Sequence, residues 1–419
     1  MKLNGVQQKI YWDVLFLMLL GALGINSRWF FVFSIIYYAY LLLKNKGKMY
    51  MPKVCGIKAY LFFVFYGTFV GLILHSMRNV LRDLYYILPT LVWIFIGYHL
   101  RIKKCDEKKC MITTISIYGA IVSASCFVEF LFEPTLVFGN LRTVFGTGVY
   151  EVGFILPIMI MESFVLKKNM ISKIMDRVMI IIMTLQIILS FGRMAILEPI
   201  IMMSVLFVLL AIYKKEHTKI AIRLLGIIGS LVLVFLIIYS FIPENVMKIF
   251  AEKVLYTAEE VDISQEITST SEAMSSWRAY EIQSAQEQWR DSNFLVKVFG
   301  AGLGKGVSIK FVPHSWKGMV VDNEIPLLHN GFYTLLPKGG VLAVVSLGML
   351  LLGNALKGLR AIKKNRFQES NGIVLVGLSI AAIATTYVLC GPVQQGTFLV
   401  WAVLMGWLNA DFEKELYKK

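Results

Sequence analysis

Two arginines and one histidine, all close to apolar segments, are the residues most suited to chemistry. Arg193 lies in the short sequence SFGRMA between two strongly apolar segments, and Arg278 shares a helical stripe with Ile282 and Ala285. His329 directly precedes another apolar segment. Guanidinium groups bind phosphate oxygens through paired hydrogen bonds, and histidine is a natural general base near neutral pH. These residue types suit glycan transfer from a lipid diphosphate, because arginines stabilise the departing diphosphate while a histidine deprotonates the attacking hydroxyl.

Each of these residues also has a purely structural interpretation. Arg193 can cap a helix end or extend its guanidinium to lipid headgroups, and the aliphatic stem of Arg278 can pack flat while its charge reaches water. A lone histidine is more often structural than catalytic. The residues alone therefore leave both interpretations open.

The elements that would position these residues are hydrophobic segments of bilayer-spanning length. The 419 residues are 57% hydrophobic and only 16% charged, which excludes ordinary soluble domains. We predict an all-α integral membrane protein with about twelve spans. These lie near residues 10–26, 28–43, 57–75, 80–100, 110–132, 149–166, 178–191, 194–213, 224–242, 327–355, 371–390 and 396–409. No small-residue cleavage site follows the first span, so we expect it to be retained.

Positive charge is concentrated in alternate loops. The net charge is +15, and by the positive-inside rule the basic loops are cytoplasmic. This predicts that both termini are cytoplasmic and that residues 243–326 lie outside. The basic excess is thus a topology signal and not a nucleic-acid footprint. Most of the 42 lysines and arginines fall in the termini or near residues 44–53, 101–109, 167–177, 214–223 and 357–366.

The long polar segment divides the chain into three parts. Residues 1–242 form a membrane domain of about nine helices, residues 243–326 a large extracytoplasmic loop, and residues 327–419 the last three helices and a cytoplasmic tail. Within the loop, Ser275 or Ser276 is a good N-cap for a helix that runs to about Arg290. The Ser/Thr-rich stretch 263–276 is typical of a flexible linker or a mobile lid.

The sequence offers no cofactor or metal motif. The glycine-rich run GAGLGKG lacks the spacing and the final Ser or Thr of a nucleotide-binding loop, although its N–H groups, at Gly302 and Gly304, could support a phosphate. There is no His-Glu-x-x-His and no cysteine cluster, and none of the five cysteines lies in the long loop. Asp322–Glu324 is only a poor approach to an acidic metal site. We expect metal-independent chemistry without a cofactor.

Three stretches carry a resemblance to a known family. They are Leu189–Ala195 with its arginine, Trp277–Gly304 with its arginine helix and Gly-x-Gly turn, and His329–Gly340, which begins with His-Asn. In these motifs the chain resembles the O-antigen ligase and O-antigen polymerase family of bacterial surface-polysaccharide enzymes. It departs from the family pattern at Gly192, where a serine is usual, and at Lys338, where an acidic residue is often found.

The resemblance implies specific roles. Arg193 and Arg278 would bind the diphosphate of an undecaprenyl-linked donor, and His329 would activate the acceptor, with Asn330 and Lys338 in support. The fold would resemble a GT-C-like membrane glycosyltransferase of the bacterial cytoplasmic (inner) membrane. Donor and acceptor glycans in the bilayer, a flippase and a chain-length regulator are the implied partners. Lys338 is more typical of repeat-unit polymerases than of ligases.

Four functions remain open at this point. The first is a polymerase of lipid-linked repeat units, and the second is a ligase that moves finished polysaccharide to another acceptor. The third is a transporter of the same lipids, although the sequence shows no clear internal repeat. The fourth is a non-catalytic assembly subunit that docks partners through its loop.

Overall fold

The fold is that of an all-α protein, and a computed structural model gives its architecture. It describes residues 10–22, 27–103, 108–214, 240–256, 267–312, 323–363, 369–394 and 398–417, with single positions 222, 223, 226, 229, 237, 260, 263, 264 and 320. The membrane part contains α1 (Trp12–Ala22), α2 (Ser27–Lys44), α3 (Ile57–Leu74), α4 (Met77–Lys103), α5 (Lys108–Phe132), α6 (Phe138–Gly146), α7 (Val149–Ile160), α8 (Lys173–Leu189) and α9 (Arg193–Lys214). The polar loop contributes α10 (Glu244–Leu255), α11 (Thr270–Ser275), α12 (Trp277–Asp291), α13 (Phe294–Phe299), β1 (Val307–Ser308) and β2 (Glu324–Ile325). The chain then continues through α14 (Gly331–Lys363), α15 (Glu369–Leu389) and α16 (Leu399–Tyr417).

Six helices of the described part are long and apolar enough to cross a membrane, and a bent pair brings the number to seven. This confirms an all-α protein with several helices fit to span a membrane. The predicted span 224–242 lies largely outside the described residues. The total of about twelve spans therefore stays a prediction.

The core of the helical part is built by close helix pairs. α4 packs along α16, α14 along α15, and α15 against α9. Between α4 and α16 a Cβ at Gly97 or Gly406 would collide with the main chain of the opposite helix. Small residues at helix contacts let the backbones approach, so van der Waals packing can replace the hydrophobic driving force that lipid removes. The indoles of Trp93, Trp401 and Trp407 fill this region and are fully buried.

A break between α6 and α7 was not expected. The sequence predicts one span over 149–166 with a loop before it, whereas α6 precedes α7 at an angle of 64°. Gly148 takes a left-handed φ of 63° at the break, a conformation that glycine adopts without strain. The apolar side of α6 packs against α10 through Phe138, Leu141 and Val246. This contact explains why a short glycine-containing stretch becomes an ordered half-helix.

The long loop has a small core of its own. Ala273, Tyr280, Ile309 and Leu328 belong to one buried cluster, beside the antiparallel pair β1–β2. The linker interpretation of residues 263–276 is wrong for residues 270–275, which form α11. Ser269 caps this helix by accepting a hydrogen bond from the Glu272 N–H, and serine is among the best N-cap residues.

Candidate functional site

α12 carries the arginine that the sequence singled out. The helix begins after Ser276 and ends at Asp291, which confirms the helix predicted to run from Ser275 or Ser276 to about Arg290. Ile282 and Ala285 are buried on the predicted stripe. Arg278 lies on the same face with 12% of its side chain exposed, so its guanidinium is held within the protein.

The two predicted phosphate-binding arginines converge on one carboxylate. Arg193 donates to both carboxylate oxygens of Glu260, at 3.2 Å and 2.8 Å, and Arg278 Nη1 lies 3.6 Å from the same carboxylate. Arg193 also donates to the Lys253 carbonyl at 2.6 Å. Two guanidinium groups facing one anion form a geometry that would also accept a phosphate group. The arrangement brings together residues 85 positions apart in the sequence.

Electrostatics around Arg278 favour a further anion. Burial lowers the pKa of its guanidinium and Arg193 lowers it further, while Glu260 and Glu281 act in the opposite direction. Arginine stays protonated in proteins, so the shift means that a cation is held in an unfavourable environment. The buried Nε of Arg278 has no hydrogen-bond partner among the described residues. An additional anion at this place would reduce the repulsion between the arginines.

His329 is held by a carboxylate that the sequence analysis did not identify. Glu281, on α12, accepts a hydrogen bond from the His329 N–H at 2.8 Å and lies 3.2 Å from its Nδ1. The Glu281 side chain is 4% exposed and the imidazole 39% exposed. A carboxylate accepts only from a protonated Nδ1, so in the neutral ring Nε2 carries the lone pair. Nε2 forms no hydrogen bond within the described part of the chain. The geometry suits a general base.

α12 links the histidine to the arginines. Trp277 contacts His329 edge-on, with ring centroids 3.8 Å apart, and the Arg278 guanidinium lies 5.3 Å from the centre of the Trp277 ring. Glu281 follows Arg278 by one helical turn and therefore lies on a neighbouring part of the same face. One helix thus orients both the base and one of the anion-binding groups.

Asn330 has a positional role beside the histidine. Its Oδ1 accepts hydrogen bonds from the N–H groups of Phe332 and Tyr333 at 3.0 and 3.2 Å, which caps the start of α14. Its Nδ2 is buried without a hydrogen-bond partner among the described residues. Asn330 thereby fixes where α14 begins and hence where His329 is placed.

The glycine turn anchors the loop to the membrane helices. Gly302 and Gly304 take left-handed φ values of 90° and 101°, which a residue with a Cβ adopts only with strain. The Gly302 N–H donates to the Lys338 carbonyl at 3.0 Å, and the Gly304 N–H donates to Asp83 at 2.7 Å. Between them the Leu303 N–H donates to Gly67 on α3 at 2.7 Å. Because these N–H groups already have protein acceptors, the turn positions the loop and does not offer them to a phosphate.

Lys338 also belongs to this anchor. Its ammonium group lies 2.5 Å from Asp83 Oδ2 and donates to the Lys305 carbonyl at 2.7 Å. The side chains of Lys338 and Asp83 are 2% and 0% exposed. The pair joins α14 to α4 directly beneath the glycine turn. Lys338 therefore helps to hold the helices of the site together. It does not contact Glu260, the carboxylate between the two arginines.

Breaking this buried pair is expected to destabilise the protein. Lys338→Met keeps most of the side-chain volume but removes the buried cation at Asp83 Oδ2. The carboxylate is left with Arg82, 3.3 Å from Oδ1, as its ion-pair partner among the described residues, so we expect a loss of about 3 kcal/mol in unfolding free energy. Thermal unfolding of the purified protein in detergent measures it. The double variant Asp83→Asn, Lys338→Met should recover much of the stability, because the amide oxygen still accepts from Gly304. Unchanged stability of the single variant would contradict the assignment.

A cavity of about 350 Å³ lies beside Arg193. Its lining includes Arg142 and Tyr150, on either side of the break between α6 and α7, and Ser190 and Gly192 of the turn that precedes Arg193. The volume is in the range of small-ligand sites. The cavity places the unexpected helix break next to a predicted site residue.

Within the part of the chain that the structure describes, no group of three or more His, Cys, Asp or Glu side chains is arranged to hold a metal ion. Glu324, from the weak acidic motif, instead forms an ion pair with Lys305. Two functional candidates, Glu260 and Glu281, were missed by sequence reasoning. Glu281 had a signal, since it lies three residues after Arg278, whereas Glu260 follows another glutamate and had none.

Comparison with known proteins adds no identification. No protein-family model matches the chain, and no curated protein sequence matches it significantly. The resemblance described above therefore rests on its three sequence motifs and stays a hypothesis.

Proposed function

We propose that the protein polymerises undecaprenyl-diphosphate-linked oligosaccharide repeat units, such as those of O-antigen, capsule or exopolysaccharide. The reaction takes place on the outer face of the bacterial cytoplasmic membrane, within a GT-C-like fold of about twelve helices and with both termini in the cytoplasm. The observation that carries the proposal is the convergence of Arg193 and Arg278 on the carboxylate of Glu260. Glu260 occupies a position that suits a phosphate group of the lipid carrier.

The proposed reaction is a single glycosyl transfer. His329 Nε2 takes the proton of the acceptor hydroxyl, and the oxygen attacks the anomeric carbon of the donor sugar. The bond from that carbon to the diphosphate oxygen breaks, and the lipid diphosphate leaves with the electron pair. Arg193 and Arg278 stabilise the charge that develops on the leaving group, a task that guanidinium forks perform without a divalent ion. Glu281 holds the imidazole in its basic tautomer.

A defined substrate test separates the candidate functions. The purified protein in lipid vesicles is given lipid-linked repeat units, extracted from a source strain that lacks this protein, as the only glycan. We expect longer lipid-linked chains. Chain transfer only after a second acceptor has been added would indicate a ligase instead. No transfer under either condition would contradict the enzymatic proposal.

One observation favours a second candidate, a transporter of the same lipids. Broken helices often form substrate sites in transporters, and the α6–α7 break lies beside Arg193. Passage of a lipid does not require a base with an oriented lone pair, however, and the Glu281–His329 pair provides one. Movement of labelled lipid across the vesicle bilayer, unaffected by His329→Ala, would support transport over transfer.

Removing the internal carboxylate should strengthen diphosphate binding. Glu260→Gln eliminates the anion that competes for the two arginines, so we expect affinity for farnesyl diphosphate to rise about threefold to tenfold. Titration of the protein in nanodiscs of zwitterionic lipid measures this change. Glu244→Gln is the matched control, because it removes an exposed carboxylate from the same loop without touching the arginines. Weaker binding by Glu260→Gln would show that Glu260 organises the site and does not compete for it.

A further inference from the structure

The cavity at the α6–α7 break has the location and size of an extension of the arginine site. Its volume is about 350 Å³, and Ser190 and Gly192 form the wall shared with the turn that leads into Arg193. Arg142 of α6 and Thr147 of the break between the two helices also line the cavity. Gly192 directly precedes Arg193, so the cavity adjoins the chain segment that carries this arginine.

Four cations cluster around the arginine pair and the cavity. Burial lowers the pKa of Lys253, Arg142 and Arg193 lower it further, and Glu260 raises it. The Lys253 ammonium group is thus close enough to Arg142 and Arg193 to be repelled by both. Its ammonium group also lies 4.4 Å from the centre of the Phe138 ring, at the start of α6. Arg193 also lowers the pKa of Arg278, so Arg278, Arg193, Lys253 and Arg142 form one cluster of cations.

Arg142 is a cation of this cluster for which the described residues provide no ion-pair partner. Its side chain is exposed and lines the cavity, and no hydrogen bond or ion pair joins it to the described residues. Glu260 supplies a single negative charge, which Arg193 and Arg278 share. A diphosphate carries two phosphoryl groups in series, and the arginine pair matches only one of them.

We propose that the cavity beside Arg142 is the subsite for the second phosphoryl group of the lipid diphosphate, with Arg193 and Arg278 holding the first. Arg142 contacts the second group directly, and Lys253 stabilises both from the side. This inference rests on the proposed function. It makes the broken helix a substrate-binding element and names Arg142 as the residue that distinguishes a diphosphate from a monophosphate.

The test compares farnesyl diphosphate, farnesyl monophosphate and farnesol on the full-length protein in zwitterionic nanodiscs. Arg142→Ala should raise the Kd for the diphosphate about tenfold and change that for the monophosphate less than about twofold. Arg193→Ala should weaken binding of both phosphates. Arg290→Ala is the matched control, because Arg290 is an exposed arginine on α12. It should leave all three affinities unchanged.

The possible failures are distinguishable. If wild-type protein binds farnesyl diphosphate no better than farnesol, the diphosphate site itself is absent and the proposed function falls with the inference. If wild-type protein prefers the diphosphate but Arg142→Ala affects both phosphates equally, or neither, only the subsite is overturned. The unfolding temperature of Arg142→Ala, expected to match wild type because Arg142 is exposed, excludes misfolding as the cause of its loss of binding.

Discussion

Replacing His329 with alanine is expected to lower the rate of chain elongation about 10³-fold, within the range for a general base. Glu281 holds the Nδ1 side of the imidazole, which leaves the Nε2 lone pair available, and the His329 side chain is 39% exposed. Single-turnover formation of longer lipid-linked glycan measures the effect. Affinity for farnesyl diphosphate should stay near the wild-type value, since the arginine pair is intact.

Glu281→Gln separates orientation from base chemistry. Glutamine keeps an oxygen that can accept the His329 backbone N–H but loses the negative charge beside Nδ1, so we expect a smaller loss of about tenfold to a hundredfold. His329→Asn should be as inactive as His329→Ala, because asparagine is not a base. Normal polymer from His329→Ala would contradict the assigned mechanism, and a loss of diphosphate binding would assign the residue to substrate positioning.

Replacing Arg278 with alanine is expected to lower the chemical step about 10²-fold to 10³-fold, the usual effect of removing one preorganised donor to developing charge. Arg278→Lys should recover little, because a lysine lacks the planar fork that spans two phosphate oxygens. Arg193→Ala should behave similarly. The measurement is single-turnover transfer with protein in excess over the lipid-linked donor, which separates chemistry from product release.

The two arginines should act as a unit. Both contact the same carboxylate, so the double variant Arg193→Ala, Arg278→Ala should lose less than the sum of the two single losses in free energy. The control is Arg290→Ala, which removes an exposed guanidinium from α12 and should transfer at the wild-type rate. Full additivity, or normal transfer by Arg278→Ala, would show that the arginines do not share one ligand.

The site residues that could be identified from the sequence are those with a positive charge in apolar surroundings. Charged groups in such positions are costly, so Arg193 and Arg278 stood out, and the structure places them around one carboxylate. The helix that bears Arg278 was predictable from its apolar stripe and from the serines before it, although the Ser276 side chain makes no capping hydrogen bond. The roles of both residues stay predictions until activity is measured.

The sequence could not show which distant groups meet. The glycine turn was a possible phosphate support because glycine-rich backbone can donate N–H groups to an anion. In the structure these N–H groups donate to Gly67, Asp83 and the Lys338 carbonyl, on three separate helices. Glu260 could not be identified from the sequence either, because its role depends on its contacts with Arg193 and Arg278. The α6–α7 break was not predicted, because the glycines near it favour a loop. In the structure, packing against α10 stabilises this stretch as the helix α6.

The glycine turn also determines how such a protein can diversify. Its main chain is hydrogen-bonded to α3 and α14, and the Gly304 N–H donates to a side chain of α4. The part of the long loop that contains this turn therefore cannot be exchanged independently of these helices. A chimaera that imports residues 243–326 from a related protein must bring compatible partners at Gly67, Asp83 and Lys338. Recombination within this lineage should therefore favour crossover points that keep the turn and these three helices together.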